Sequence, residues 1–534
     1  MAAVNDTGAT SDGHGQAASG IRTIDTSVQP SGTGIDSFVV DELGGSEKAR
    51  VVDEEAHPGH FNLTADSTKN SKWKGAFGHI LELFERPDVQ NRPRNPLHLL
   101  KLRPRQAFTF SVACLGWLVD SLDFFCVTMT TTELAEAFGK EPSDVTSAIT
   151  VTLMLRPIGA LIFGVIADRF GRRIPLIVNL TLFTVIELAS GFAQNLETFI
   201  GLRAIYGILM GGEWGLGNSL AMEVLPVESR GIFSGILQMS YSLGNLVAAM
   251  LYYAIVPSLG WRALFWISII PAVITIVMSL FLKESEAWKQ TRQQQKNGAQ
   301  RYYKVAVDML KNHWLRCVYA VVFMAAMNFL SHGSQDLYPT FLKKQHGFSA
   351  GQATVGTVVG NIGAIIGGIF FGYISEYLGR RRTIAICAIC GACFVPLWIL
   401  PDKFGTLLAG AFFIQVFVQG AWGVIPAYLS EISPAAFRAT FPGLAYQLGN
   451  LISASASQIE ATLGEKNPLP ELRDGEAVPN YGRVQGILIG VIFSCVLVLA
   501  IVGREEKGKQ FLDNAKSVDS DDDDNNNNNF NIKN

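Results

Sequence analysis

The chain has 534 residues, 49% of them hydrophobic and 17% charged, with a mean hydropathy of +0.25 and a formal net charge of −3. A soluble domain carries roughly 25% charged residues, and here the apolar residues come in long runs, so the composition points to a polytopic membrane protein. No basic excess suggests a nucleic-acid partner, and no phosphate-binding glycine loop, metal-ligand cluster or nucleophile motif suggests an enzyme.

Residues 1–105 read as a polar N-terminal tail, largely disordered by composition and without a cleavable signal peptide. Its Asn62-Leu63-Thr64 sequon is a chance match on a cytosolic tail, and Lys48, Lys69, Lys72 and Lys74 are candidate ubiquitination sites for trafficking machinery. Arg92, Arg94, Lys101, Arg103 and Arg105 precede the first span, and the positive-inside rule places them in the cytoplasm. Twelve spans follow, at 106–130, 145–167, 174–193, 196–222, 229–255, 261–283, 315–342, 350–377, 383–400, 405–428, 439–462 and 484–503. Each approximates the ~20 residues that cross the bilayer. The Lys-, Arg- and Gln-rich loop at 284–314 divides them into bundles at 106–283 and 315–503. The even count puts both termini on one side, the cytoplasmic one. An outer loop at 463–483 and an acidic, Asn-rich tail at 504–534 complete the chain, and the seven cysteines read as apolar packing residues.

An internal repeat organises the spans. Gly164, Asp168, Gly171, Arg172 and Arg173 after span two stand 208 positions before Gly372, Glu376, Gly379, Arg380 and Arg381 after span eight. The same offset carries Gly212, Trp214 and Gly215 onto Gly420, Trp422 and Gly423, and Glu223, Pro226 and Arg230 onto Glu431, Pro434 and Arg438. Two structural repeats with a midplane site between them are a transporter architecture. The doubled G-x-x-x-[DE]-x-x-G-R-R loop resembles the hallmark of the major facilitator superfamily over 106–503. The resemblance implies an all-α fold of two six-helix bundles around a cavity that opens alternately to each side. The loop residues are expected to act in the conformational change. Glycines let helices two and three approach, Asp168 suits a helix N-terminus, and Arg172 and Arg173 hold the cytoplasmic end.

Where the repeats differ, function is expected. Arg156, deep in span two, faces the place of Ala364, and Asp120 and Asp123 in span one take the places of Asn328 and Ser331. An arginine at mid-membrane costs at least about 2.5–3.5 kcal/mol on insertion scales, so it needs a partner. Two readings stand: a structural pair with Asp120 or Asp123, and a two-point grip on an anionic substrate. Span seven carries Asn328, His332, Asp336 and Thr340 on one face, with Ser331 and Gln335 beside them. An imidazole one turn from a carboxylate suits a proton-coupling pair, and Pro339 is expected to free the Gln335 carbonyl. Gln447 is a candidate cavity residue, Asn245 and Asn450 read as packing elements, and Glu213, whose place Ala421 takes in the second half, is a weaker proton-relay candidate.

The span-seven pattern N-x-x-S-H-x-S-Q-D-x-x-x-T resembles the signature of the fungal Jen group of carboxylate/proton symporters. It is carried here by Asn328, Ser331, His332, Ser334, Gln335, Asp336 and Thr340. That resemblance implies uptake of short monocarboxylates such as lactate and pyruvate at the plasma membrane. The cotransported proton is the only co-substrate it implies, and no cofactor. It implies binding roles for Asn328, His332, Asp336, Arg156 and Gln447, while some members of the group prefer dicarboxylates. The expected mechanism is alternating-access symport. The proton loads on His332, Asp336, Asp120 or Asp123, and the carboxylate binds Arg156 with Asn328 and Gln447 orienting it, Ser331 and Gln335 being further candidate substrate contacts. A sugar or phosphate porter and a nutrient sensor are the competing expectations. A sugar porter is disfavoured because the central Arg156 and His332 favour an anion and few cavity aromatics can be named.

Overall fold

The computed structural model describes residues 99–140, 142–297, 302–470, 472–473 and 476–508. The N-terminal sequon, the candidate ubiquitination lysines and the acidic C-terminal run lie outside them. Among the described residues the chain is helical apart from a short ladder of Leu472–Arg473 against Glu476–Ala477.

Twelve principal helices follow in order: α1 (Pro104–Met129), α2 (Pro142–Phe170), α3 (Arg173–Ser190), α4 (Leu196–Val224), α5 (Arg230–Leu259) and α6 (Trp261–Leu280) form the first half. The second half is α7 (Tyr302–Gln335), α8 (Ala350–Leu378), α9 (Arg380–Ile399), α10 (Phe404–Trp422, then Ile425–Ile432), α11 (Thr440–Ser453, then Ala456–Lys466) and α12 (Tyr481–Val502). All but α4 and α11 are long and apolar enough to cross a membrane by composition alone. The exceptions carry polar groups that they bury: Arg203 and Glu213 on α4, Gln447, Asn450 and Glu460 on α11.

The packing repeats with the sequence. In the first half α1 packs on α5, α2 on α4 and α3 on α6; in the second, α7 on α11, α8 on α10 and α9 on α12. The end of the molecule that holds the repeated loops is built twice as well. Gly171 (φ 105°) and Gly379 (φ 93°) occupy left-handed backbone that only glycine takes without strain, and they turn the chain back into α3 and α9. Arg172 then reaches Asp168 at 3.3 Å and Glu223 at 2.7 Å, as Arg380 reaches Glu376 at 3.0 Å and Glu431 at 2.9 Å. Burial works against the charge of Arg172, but Glu223, Asp168 and Glu284 outweigh it and raise the guanidinium above its ordinary range.

A second pair of carboxylates completes each lock. Glu284 accepts the backbone N–H groups of Arg172 (2.9 Å) and Arg173 (3.2 Å), capping α3. Glu505 accepts those of Arg380 (3.1 Å) and Arg381 (3.0 Å), capping α9. A carboxylate there meets the unpaired donors and the positive end of the helix. Replacing Glu284 or Glu505 by Gln is expected to cost about 1.5–3 kcal/mol, because the amide presents a donor to a donor. Thermal melts of the detergent-solubilised protein will show both variants less stable than wild type. Glu286→Gln, at an exposed pair with Lys289, should melt with wild type.

The segment 284–314, expected as a loop, holds a helix at Glu286–Asn297, and α7 begins already at Tyr302 with a kink at His313. Trp288 of that helix donates its indole N–H to the Asp168 carbonyl at 3.0 Å, so the connection is strapped to the first lock. Gly164 does not serve an approach of helices two and three. A Cβ added there would stand 2.8 Å from the Thr440 Cα of α11, so the glycine lets the two halves meet. Across the pseudo-symmetric seam, a Cβ on Gly372 of α8 would stand 2.6 Å from the Gly231 carbonyl of α5.

Hydrogen bonds join the halves along the same end. Asp168 accepts the N–H groups of Ala439 (3.1 Å) and Thr440 (2.9 Å) and the Thr440 hydroxyl (2.6 Å), at the start of α11. Glu376 accepts the Gly231 N–H, Ser234 donates to the Gly423 carbonyl (2.7 Å), and Asn218 donates to Ser430 (3.0 Å). The molecule is therefore held closed at the motif end.

Candidate functional site

The site sits where α1, α2, α5, α7 and α11 converge above that closed end. Arg156 is 2% exposed, yet its guanidinium forms no ion pair within 4 Å among the described residues. It lies over the Phe124 ring at 5.2 Å and touches Met210 Sδ through Nη2 at 2.6 Å, while Nε has no partner. Its charge acts on Asp120, Tyr241, Tyr446 and His332. A buried, permanently charged group without a fixed counter-charge is costly, and it keeps donors available for an anion.

The two span-one aspartates separate. Asp120 is buried within reach of Arg156 and has no hydrogen-bond partner on either oxygen among the described residues. Asp123 lies beside Ser268 of α6, under the influence of Glu187, Arg203 and Asp120. Arg203 and Glu187 pair at 2.5 Å, and Arg203 stacks over Tyr206 at 4.2 Å. Glu187 and Arg203, unassigned from sequence, thus set the surroundings of Asp123 inside the first bundle.

The polar residues of α7 divide between two neighbours. His332 bridges Asp336 (Nδ1 to Oδ2, 3.0 Å) and Asn450 of α11 (Nε2 to Oδ1, 3.0 Å). Asn328 donates to the Met324 carbonyl at 2.9 Å and the Tyr446 carbonyl at 3.4 Å. Ser331 instead accepts from Gln419 (3.2 Å), Ser334 from Gln415 (3.0 Å), and Gln335 donates to Gln415 (2.9 Å), all on α10. Thr340 does not share the His332 face, because the helix ends at Gln335 and restarts at Tyr338. Pro339 lies in the first turn of the new segment, where its missing N–H leaves no bond unmade. Asn450 belongs to the histidine chain as well as to packing, and Gln447, wholly buried, keeps an Nε2 donor unpartnered among the described residues.

Two features were not legible from the sequence pattern. Glu460 of α11 is buried against Gly333 and accepts from Gln485 at 3.4 Å, with Oε1 unpartnered. Aromatic rings also floor the site, contrary to the expectation of few. Tyr446 stacks on Trp214 at 4.7 Å and meets Trp422 and Trp117 at 5.7 and 6.2 Å, while Trp117 packs on Tyr241 at 4.9 Å. These residues are far apart in sequence, and only the meeting of the halves gathers them.

Comparison with known proteins agrees with this architecture. The family model described as Major Facilitator Superfamily matches residues 112–457. The chain is 34% identical to a carboxylic acid transporter protein homolog of Saccharomyces cerevisiae, over 85% of this chain and 76% of that protein. It is 29% identical to the cis,cis-muconate transport protein of Acinetobacter baylyi, over 66% of this chain and 86% of the other. Among solved structures, the proton:xylose symporter XylE superposes with a TM-score of 0.62 at 21% identity, covering 78% of this chain and 99% of that one. The chain is a transporter rather than an enzyme, and it belongs to the major facilitator superfamily, in the group that includes the yeast carboxylic acid transporter homolog.

Proposed function

We propose that the protein is a proton-coupled importer of short monocarboxylates such as lactate and pyruvate at the plasma membrane, with both termini in the cytoplasm. The observation that carries this reading is Arg156: a buried guanidinium without an ion-pair partner among the described residues, between Asp120 and the His332–Asp336 pair. A carboxylate fits its two-point geometry. Gln447 brings an unspent amide donor to α11. The names of the yeast and Acinetobacter relatives support an organic acid as cargo. Lys101, Arg103 and Arg105 lie at or next to the start of α1 and support a cytoplasmic motif end.

The coupling follows from charge. An arriving carboxylate competes with Asp120 for Arg156, and a proton on Asp120 removes the conflict. The His332–Asp336 pair offers a second place for that proton, and its side chains keep 22% and 43% exposure. Anion and proton together are neutral cargo, so the halves rock without moving net substrate charge across the bilayer. One permanent cation in this cluster favours a monocarboxylate over a dicarboxylate.

The test is uptake of labelled lactate across a range of external pH, with succinate and acetate as competitors and a protonophore control. Uptake is expected to rise as external pH falls, to collapse with protonophore, and to be inhibited by acetate more than by succinate. His332→Ala at normal surface level should lose about tenfold or more of this uptake, as expected when a proton-transfer group is removed. Uptake independent of both pH and protonophore would overturn the reading.

A further inference from the structure

Glu213 is the one carboxylate of α4 buried at the level of the aromatic floor, and the site described above does not use it. It is fully buried, and neither carboxylate oxygen has a hydrogen-bond partner among the described residues. Its space is made by two missing side chains. A Cβ on Gly116 of α1 would stand 2.5 Å from Oε1, and one on Gly217 of α4 would stand 3.2 Å from it. Gly116 precedes Asp120 by one helical turn. The start of α1 is tied to the motif end by the Gln106 amide, which donates to the Val224 carbonyl at 2.8 Å. Glu213 therefore lies about one turn, roughly 5 Å, closer to the motif end than Asp120 does.

The facing charged and titratable groups are few. Asp120 acts on Glu213 as a like charge, and Glu213 in turn acts on Cys114 of α1 and Tyr446 of α11. Arg156 acts on Asp120 and is not among the charges felt by Glu213. A buried carboxyl that bonds to nothing and has no cation contributes nothing to stability, and ionisable groups inside membranes are retained for function.

We propose that Asp120 and Glu213 form a two-carboxyl proton station, with Glu213 as its inner member. The proposal rests on the proton-symport reading. One guanidinium and two carboxyl groups are neutral together when they hold one proton. A bound carboxylate adds one negative charge, and a second proton restores balance, so each anion brings one proton with it. Transfer inward takes place in the anion-free station, which holds one proton: the O–H bond of Asp120 breaks, the same proton forms an O–H bond on the ionised Glu213, and the negative charge passes to Asp120, which then takes the next proton with the next anion. When the motif end opens, Glu213 releases that proton on the far side of the gate from where it entered.

The experiment uses the full-length protein with Glu213→Gln and Glu213→Asp. Three readings are taken at matched surface level: pH-gradient-driven lactate accumulation, lactate-induced proton uptake, and lactate self-exchange at equal pH, which needs no net proton release. The amide variant should lose accumulation and proton uptake by about tenfold or more while exchange stays within about twofold of wild type. Glu213→Asp, which keeps a carboxyl, should retain coupling. Coupled accumulation in Glu213→Gln equal to wild type would overturn the proposal, as would loss of exchange together with accumulation. Absence of proton coupling in the wild type would instead overturn the symport reading and this proposal with it.

Discussion

Arg156→Lys is expected to lower proton-coupled lactate uptake to about a tenth of wild type or less, with surface level unchanged. The lysine keeps the charge but offers one donor direction in place of two parallel ones. It also loses the guanidinium contact over the Phe124 ring, 5.2 Å from its centroid. Arg156→Gln, which removes the charge, should lose more. Truncating one partner of a desolvated ion pair costs about 2–5 kcal/mol, or roughly 30-fold to several-thousand-fold in affinity. Concentration dependence separates the cases: a binding defect raises KM, whereas a folding defect lowers the amount at the surface. Full uptake by the lysine variant at normal surface level would remove Arg156 from the binding site.

Asp168→Asn should open the motif end. The native carboxylate accepts from Ala439 with one oxygen and from Thr440, twice, with the other. The amide keeps one acceptor and turns an N–H₂ toward a donor. Each bond to a charged group is worth about 1.5–3 kcal/mol, so loss of even one shifts the closed population by about tenfold to a hundredfold. Spin labels at the motif ends of α2 and α11 should report a longer mean distance, and lactate uptake should fall with it. Burial pushes the neighbouring Arg438 guanidinium down to about 10, against the pull of Glu223. The ion-pair network around Asp168 is therefore already desolvated and tolerates a lost partner poorly.

The architecture was legible in the sequence because span length and the 208-residue repeat are local or periodic signals. The repeat even places Glu223 beside Arg172 and Glu431 beside Arg380, the same geometry twice. Glu284 and Glu505 escaped because they cap α3 and α9 from the far ends of their halves, out of register with that offset. The face of α7 was legible in part. Helical periodicity groups Asn328 with His332 but cannot tell that α10 takes Ser331 and Gln335, nor that the helix stops before Thr340. Periodicity also cannot turn Asp123 toward Glu187 and Arg203, since that depends on how α1 is rotated against α3 and α4. The aromatic floor needs two halves in contact, and no single segment announces it.

The seam between α5 and α8 has a thermodynamic consequence. At Gly235 and Gly372 backbone meets backbone, carbonyl against α-carbon, while Met239 packs on Gly368 and the Arg380 and Glu376 side chains reach Gly231, and none of the four glycines has a side chain to immobilise. Joining ordinary surfaces freezes rotamers at up to about 2 kcal/mol per long side chain, whereas a glycine has none to freeze. A gate that has to part and rejoin on every turnover gains from such a surface. Its closed form is tightly fitted, and the disorder lost in closing and regained in opening is small, so the free-energy swing per cycle stays small.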